Sequence, residues 1–493
     1  MKDYQVNRRS FLKGGLLAAG VASMGALAGC AAGQEGSAMA QTGSGASREW
    51  DATADVVVVG LSGGMGAVLS AIESGASVIG VEKGSNLGGN WAINTGVVFA
   101  PATDAMKQAG DVDERTGKED TIEAALADWI RCTKGNCDEV LAEAILREEQ
   151  AFINGLVAEG QPVKTELCGM ADAPVARGHY LVDAQGNRQG GGAFTSILVD
   201  RVNQTDAVIM TDTVAKDLIF DENYNVIGVE VSEDGKQKFL GCKAVVLAMG
   251  GYTANQELRA RWNKESSGWG VIGNNLAQGD GYYILLNHGA ALEDFKTISP
   301  SVTLEVNSCD TYETNNYQIF WDRGPASLVM LDAAGKRNRA ETQPYTQMDG
   351  SLLTVPAYQV FDQAQYDDPT FMLCNGWSKD SLAKAVEDGF VVKADTLEEL
   401  AELLYLDPEV VKAEIEEYNA GVAAGQDKFG RAVDTMRALE APYYASTGTN
   451  GISGTDCNGI KVDSDGRVLD RDGNPIKGVY GGGNDMYASN WAG

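Results

Sequence analysis

Residues 55–83 read DVVVVGLSGGMGAVLSAIESGASVIGVEK, and this stretch decides the fold. Val56 to Val59 form a β-branched run short enough for a strand buried on both faces. Gly60, Gly63, Gly64 and Gly66 follow it, and the small residues from Ala67 to Ser74 carry a helix that Gly75 stops. Ser77 to Val81 reads as a second strand, ending in Glu82 and Lys83. Strand, glycine turn, helix and strand make a βαβ unit. The glycines let the backbone turn tightly and approach a pyrophosphate, whose charge suits the amide-rich end of the helix. Glu82 stands 22 positions beyond Gly60 (82 − 60 = 22). That is close to the roughly 20 at which an acid meets ribose hydroxyls. Ser62 takes the place of the second glycine of G-x-G-x-x-G. The unit reads as a dinucleotide-binding domain.

The chain around it has 493 residues, enough for two or three domains. Its 60 glycines exceed the usual share of about 7% and fit an α/β protein rich in tight turns. The net charge is −30 and is spread along the chain. Such a surface argues against nucleic acid and anionic membrane as partners. Residues 1–30 read as an address: Asn7-Arg8-Arg9-Ser10-Phe11-Leu12-Lys13 resembles a twin-arginine export signal, and Gly14 to Ala28 is a short apolar segment. Leu27-Ala28-Gly29-Cys30 matches a lipobox, which makes Cys30 the expected lipid anchor; plain cleavage at a small-residue site is the alternative. Residues 31–50 are poor in large apolar side chains and read as a flexible linker. The expected location is the cell envelope, as a membrane-anchored lipoprotein or a periplasmic protein.

Beyond Glu82 the chain reads GSNLGGNWAINTGVVFAP. Here it resembles the FAD flavoproteins of the fumarate reductase and succinate dehydrogenase type. Gly88-Gly89-Asn90 matches that family's loop, with Trp91 in place of a small hydroxyl residue and Asn94-Thr95-Gly96 in place of S-G-G. Strand patterns run from Ala207 through a hairpin turn at Asp221 to Asn225. Val245 to Ala248 before Gly250-Gly251 resembles the family's second nucleotide-contacting strand. Gly279-Asp280-Gly281 resembles the segment whose aspartate bonds the cofactor. The resemblance covers residues 51–493. It implies an α/β fold: a Rossmann-like FAD-binding domain built from 51–296 and 433–493, with an α+β clamp domain at 297–432 inserted between them. Helix starts are predicted at Thr396 and at Asp407-Pro408. Residues 120–160 are predicted to form two amphipathic helices, with Val140, Leu141, Ala144 and Ile145 on one face. The family continues after Gly481 to Asn484 with a final helix, so truncation, or a helix supplied from elsewhere, is expected at Gly493.

The resemblance implies non-covalent FAD, held by Gly60, Gly63, Gly64, Glu82, Lys83, Gly89, Asn90, Trp91, Thr95, Gly96, Val97, Val214, Gly250, Gly251, Asp280, Gly483 and Asn484. It also implies hydride delivery to an activated C=C bond, with a side chain supplying the proton. The fumarate-reducing branch keeps an arginine eight residues beyond the arginine of G-K-R. Gly335-Lys336-Arg337 matches, but the eighth residue is Tyr345. The branch's dicarboxylate-binding histidines map near Ser299 and Thr455, and the two histidines here are His179 and His288. Fumarate and succinate are therefore disfavoured, because a dicarboxylate needs bidentate cationic or donor-rich partners. An enone or aryl-acrylate suits a phenol acid such as Tyr345. Arg323 and Asp322 align near the branch's proton relay, giving a route Arg323–Asp322–Tyr345 with Arg337 beside it; a surface ion pair is the other reading of Arg323. Tyr317, Phe320, Trp321, Tyr443 and Tyr444 offer an aromatic pocket, or core packing. Cys132 and Cys137 leave a disulfide, a cluster and free thiols open, and C-x-x-C-H does not occur. Electrons are expected from an external donor, a membrane cytochrome or a flavoprotein. The alternatives are a flavin dehydrogenase of a 3-ketosteroid-like substrate and a non-catalytic ligand-binding lipoprotein.

Overall fold

A computed structural model describes residues 49–94, 96–132, 135, 137–167, 175–262, 270–272, 274–292, 302–306, 328–341, 357–367, 379–453, 459–483 and 486–487. Its centre is a six-stranded sheet containing β1 (Val56–Val59), β2 (Val78–Val81), β3 (Val208–Met210), β4 (Ala244–Leu247) and β5 (Pro475–Gly481). The order across it is 467–469, β5, β4, β1, β2, β3. All pairs from β5 to β3 are parallel, and only 467–469 runs antiparallel, against β5.

Alternation along β1 shows why a run of valines belongs here. Val57 and Val59 join Ile79, Val81, Val245 and Leu247 in the core on one face. Val58 turns to the other face, where it meets Leu61, Met65, Val68, Val78 and Leu198. A parallel strand covered on both faces needs apolar side chains at every position. The second face is roofed by α1 (Gly64–Glu73) and by α4 (Gly191–Asn203), introduced here with α2 (Gly89–Ile93) and α3 (Glu139–Ala158). A β-carbon on Gly64 would lie 2.9 Å from Val58 Cγ1, so glycine there sets how closely α1 approaches β1.

A four-stranded sheet of 52–53, 236–241, 226–233 and 213–220 flanks this unit, with its hairpin at Asp221 to Asn225 as expected. Strands 98–99, 178–181 and 163–166 form a smaller sheet, packed with helices 104–109, 122–132 and α3. The two amphipathic helices are present, but Val140 points outward at 67% exposure. The buried stripe is instead Leu141, Ala142, Leu146, Ile153 and Leu156, because α3 begins at Glu139 and its core face is rotated by one position.

The clamp sheet orders 270–272, 443–453, 357–362 and 329–331, with 302–306 and 391–394 also paired to 443–453. Its central strand thus lies beyond residue 432 and one edge strand lies before 297, so the sheet crosses both expected boundaries. Helices 397–403 and 408–424 start where the sequence indicates. Thr396 Oγ1 accepts from Glu399 N at 3.1 Å, and Asp407 Oδ1 accepts from Glu409 N at 3.0 Å, with Pro408 in the first turn. No helix among the described residues is long and apolar enough to cross a membrane.

Candidate functional site

The parallel strands β1, β2 and β4 end at one edge of the central sheet, and the loops leaving them line a cleft. The cleft opens to solvent, and its cavity volume is about 160 Å³. Its walls are Gly60 to Gly63 after β1, Glu82 and Lys83 after β2, Thr213 to Ala215, Ala248 to Gly250 after β4, Gly89 to Trp91, and Asn274, Leu276, Ala277 and Asp280 with Gly483.

The first turn is built for close backbone approach. Gly60 has φ +88°, and a β-carbon there would meet Ala248 O at 2.2 Å. No L side chain fits. At Gly63, where α1 begins, the nearest atom to such a carbon is 3.9 Å away, so the floor in front of the helix stays open. In the first turn of α1, Met65 N and Gly66 N donate to Ser62 O and Gly63 O at 3.3 Å, which tightens the turn that faces this floor. Glu82 binds the turn to β2: Oε2 accepts from Leu61 N and Oε1 from Gly84 N, both at 2.8 Å. Each oxygen retains a lone pair for a hydroxyl group.

The opposite wall carries Asp280 at the start of α5 (Asp280–Asn287), whose preceding Gly279 has φ +80° and donates its N–H to Gly251 O at 2.8 Å. Lys83 Nζ lies 2.7 Å from Asp280 Oδ2, a half-exposed ion pair that ties the β2 end to α5. Asn90 Oδ1 accepts from Asn274 N at 2.6 Å and joins α2 to the 274–277 loop. Trp91 lines the cleft and packs its ring against Phe152 and Phe194, with centroids 6.2 and 6.5 Å away.

The structure therefore gathers Gly60, Gly63, Glu82, Lys83, Gly89, Asn90, Trp91, Val214, Gly250, Asp280 and Gly483 around one space. Four other expected contacts stand behind it. Gly64 packs on Val58, and Gly251 holds Gly279. Gly96 (φ +74°) turns the loop against Gly190, its N–H donating to Asn94 Oδ1 at 2.8 Å, and Val97 follows it off the cleft wall. Thr95, Asn484, Asp322, Arg323 and Tyr345 lie outside the described residues, as do Tyr317, Phe320 and Trp321.

Arg337 is not brought to the cleft. Its guanidinium is buried in the clamp, bidentate to Glu341 at 2.7 and 2.8 Å and bonded to Asp427 at 2.8 Å, with Tyr418 and Phe429 on its faces. Arg431 closes the network on Glu341 at 3.0 Å. That geometry makes Arg337 a bolt between the G-K-R turn and the 427–431 segment, in place of the catalytic role expected from its motif. Tyr444 is likewise buried in the clamp sheet, its ring stacked with those of Phe361 and Tyr366. Leu61, Thr213, Met249, Asn274, Leu276 and Ala277 line the cleft without a sequence signal of their own. They arrive there by long-range packing.

A loop set of this shape fits an FAD molecule: a glycine turn too tight for any side chain, an open floor before the helix, and an acid bonded to that turn. The model of the protein family described as FAD binding domain matches residues 55–492. The chain belongs to this FAD-binding family. As an FAD flavoprotein it is an oxidoreductase of the fumarate reductase-like kind, and its cofactor is FAD. It is 26% identical over 437 residues to a fumarate reductase (cytochrome) of Shewanella frigidimarina, covering 87% of this chain and 72% of that one. A digoxin reductase of Eggerthella lenta is 27% identical over 529 residues, covering 97% and 91%. The fold is shared with a 3-ketosteroid Δ1-dehydrogenase of Sterolibacterium denitrificans, with a TM-score of 0.72, 21% identity and coverage of 88% and 94%.

Proposed function

We propose that this flavoprotein reduces an activated C=C bond of an enone or aryl-acrylate, outside the cytoplasm, with electrons from a membrane cytochrome or a flavoprotein. The observation that carries the choice of substrate class is the placement of its two histidines. His179 is fully buried among Thr103 and Arg177. His288 pairs with Asp217 at 2.7 Å on the flanking sheet. Neither lines the cleft, so the imidazole donors that suit a small dicarboxylate are engaged elsewhere. The reductases of fumarate and of digoxin among the relatives support reduction as the direction. The ketosteroid dehydrogenase fold keeps the reverse reaction as the second reading.

FAD, when bound, supplies the hydride. The chain's own residues then hold and protect it. Gly60 to Gly63 and the start of α1 receive the pyrophosphate, and Glu82 takes the ribose hydroxyls. Lys83, Asp280, Asn90 and Trp91 frame the remainder, with Thr95 and Asn484 completing the expected contacts and Gly96, Val97 and Gly251 supporting the wall from behind. Tyr345 is the proton donor to the substrate carbon, with Asp322 and Arg323 returning its proton, and no histidine takes part. Residues 1–30 direct export, and Cys30 carries the anchor that keeps the enzyme near its donor.

Replacing Tyr345 with Phe removes only the hydroxyl. General acid catalysis is worth about 10²–10⁴ in rate, so reoxidation of the reduced protein by substrate should slow by that order. Its reduction by an artificial donor should be unchanged. A substrate step within about twofold of wild type, far inside that range, removes Tyr345 from the mechanism.

A further inference from the structure

Trp91 is the one aromatic side chain among the described residues that line the cleft, in a wall that also carries Gly60, Gly63, Gly89, Gly250 and Gly483. Its backbone is fixed on both sides. Trp91 N donates to Gly88 O at 2.9 Å, and a β-carbon on Gly191 would lie 2.1 Å from Trp91 O, so α4 seats directly against α2. With the backbone held, only the side-chain torsions decide where the indole lies, and these offer a few discrete positions. The position observed is turned back among the helices. Phe152 of α3 and Phe194 of α4 stand 6.2 and 6.5 Å from the indole and 6.3 Å from each other. These are the separations of attractive ring pairs. Phe194 is 2% exposed and belongs to the core of Ile153, Leu156 and Leu181, whereas Trp91 and Phe152 are partly buried at its edge. A triangle of rings joins the interior to the cleft wall.

We propose that Phe152 and Phe194 are positioning residues: they form a socket that holds the Trp91 indole back in the wall and so keep the cleft open for FAD. This rests on the reading of the cleft as the FAD site. A wider ring in the socket finds no spare volume in a close-packed interior. It displaces Trp91, the member of the triangle with the cleft beside it. In FAD-free protein the displaced indole rests in the open cleft without strain. FAD binding forces it back into the crowded socket, so the cost of overpacking falls on binding.

Phe194→Trp tests the socket. The dissociation constant of FAD, read by flavin fluorescence, should rise about 5- to 150-fold, the usual range for an overfilled core. Trp91→Ser empties the socket of its occupant. Adding Phe194→Trp to that variant should change its dissociation constant by less than about threefold, below the smallest overpacking effect. A role confined to packing α4 in the core would cost the same in both backgrounds, since effects that are not coupled add. Phe152→Trp makes the same comparison if Phe194→Trp fails to fold, because Phe152 lies at the edge of the core. Equal losses in the two backgrounds would overturn the proposal, and so would a Phe194→Trp protein that binds FAD as tightly as wild type. Wild-type protein that binds no FAD would overturn the reading of the cleft, and the proposal with it.

Discussion

Glu82→Ala tests how the cofactor turn is held. The carboxylate accepts two backbone N–H groups, Leu61 and Gly84, each at 2.8 Å, and so joins the glycine turn to the end of β2. A hydrogen bond to a charged group contributes about 1.5–3 kcal/mol. Glu82 is partly exposed, so the lower end applies, giving about 3 kcal/mol for the two. At about 1.4 kcal/mol per tenfold, that is about a hundredfold in the dissociation constant of FAD, before any lost ribose contact is added. The loss falls on binding because a loosened turn must be reordered around the pyrophosphate. Glu82→Gln is the graded control. Its single carbonyl can serve one amide while its NH₂ faces the other, so an intermediate loss of about tenfold is expected, one charged hydrogen bond at the low end. Titrating FAD-free protein with FAD by flavin fluorescence measures both variants. An alanine variant that binds within about threefold of wild type, less than one ordinary hydrogen bond, would refute the role given to Glu82.

Arg337→Met should cost about 3–5 kcal/mol of stability, because Glu341 and Asp427 are left buried with a partner removed. Urea unfolding measures it. A catalytic arginine would instead lose turnover at unchanged stability. His179 titrates at about 4, lowered from 6.5 chiefly by desolvation. It is therefore buried neutral, and its contribution is complete above pH 6.5 and lost as pH falls through 4. The full loss is about 3 kcal/mol. Thermal melts between pH 7 and pH 4 should show it in wild type and show a shallower decline in His179→Gln; parallel declines would place the acid sensitivity elsewhere.

The parts of this fold that were legible in the sequence are those whose physics is local. Val56 to Val59 could be read as a doubly buried strand, and Gly60 as a forced turn, because neighbours in the chain set their environment. Glu82 followed from motif spacing, Lys83 and Asp280 from the resemblance to the flavoprotein family, and the clamp helices from Thr396 and Asp407 at their caps. What escaped depends on distant partners. Asn274 enters the cleft because Asn90 holds its amide, and Thr213 because its strand begins beside β2. Strand 443–453 reads as a return to the cofactor domain, yet it pairs with strands from four other parts of the chain. Arg337 sits on a recognisable motif, but only the fold shows that Asp427, 90 residues on, consumes its guanidinium. Val140 fell on the wrong face because one residue of helix phase turns a side chain by about 100°.

Anaerobic reoxidation of the reduced protein by a panel of unsaturated compounds, followed by the flavin absorbance, measures the proposed activity itself. Enones or aryl-acrylates should reoxidise the flavin at least about a hundredfold faster than fumarate, the lower bound for a working general acid on the preferred substrate. Fumarate reoxidising it as fast as any member of the panel, or no member reoxidising it at all, would contradict the proposed chemistry.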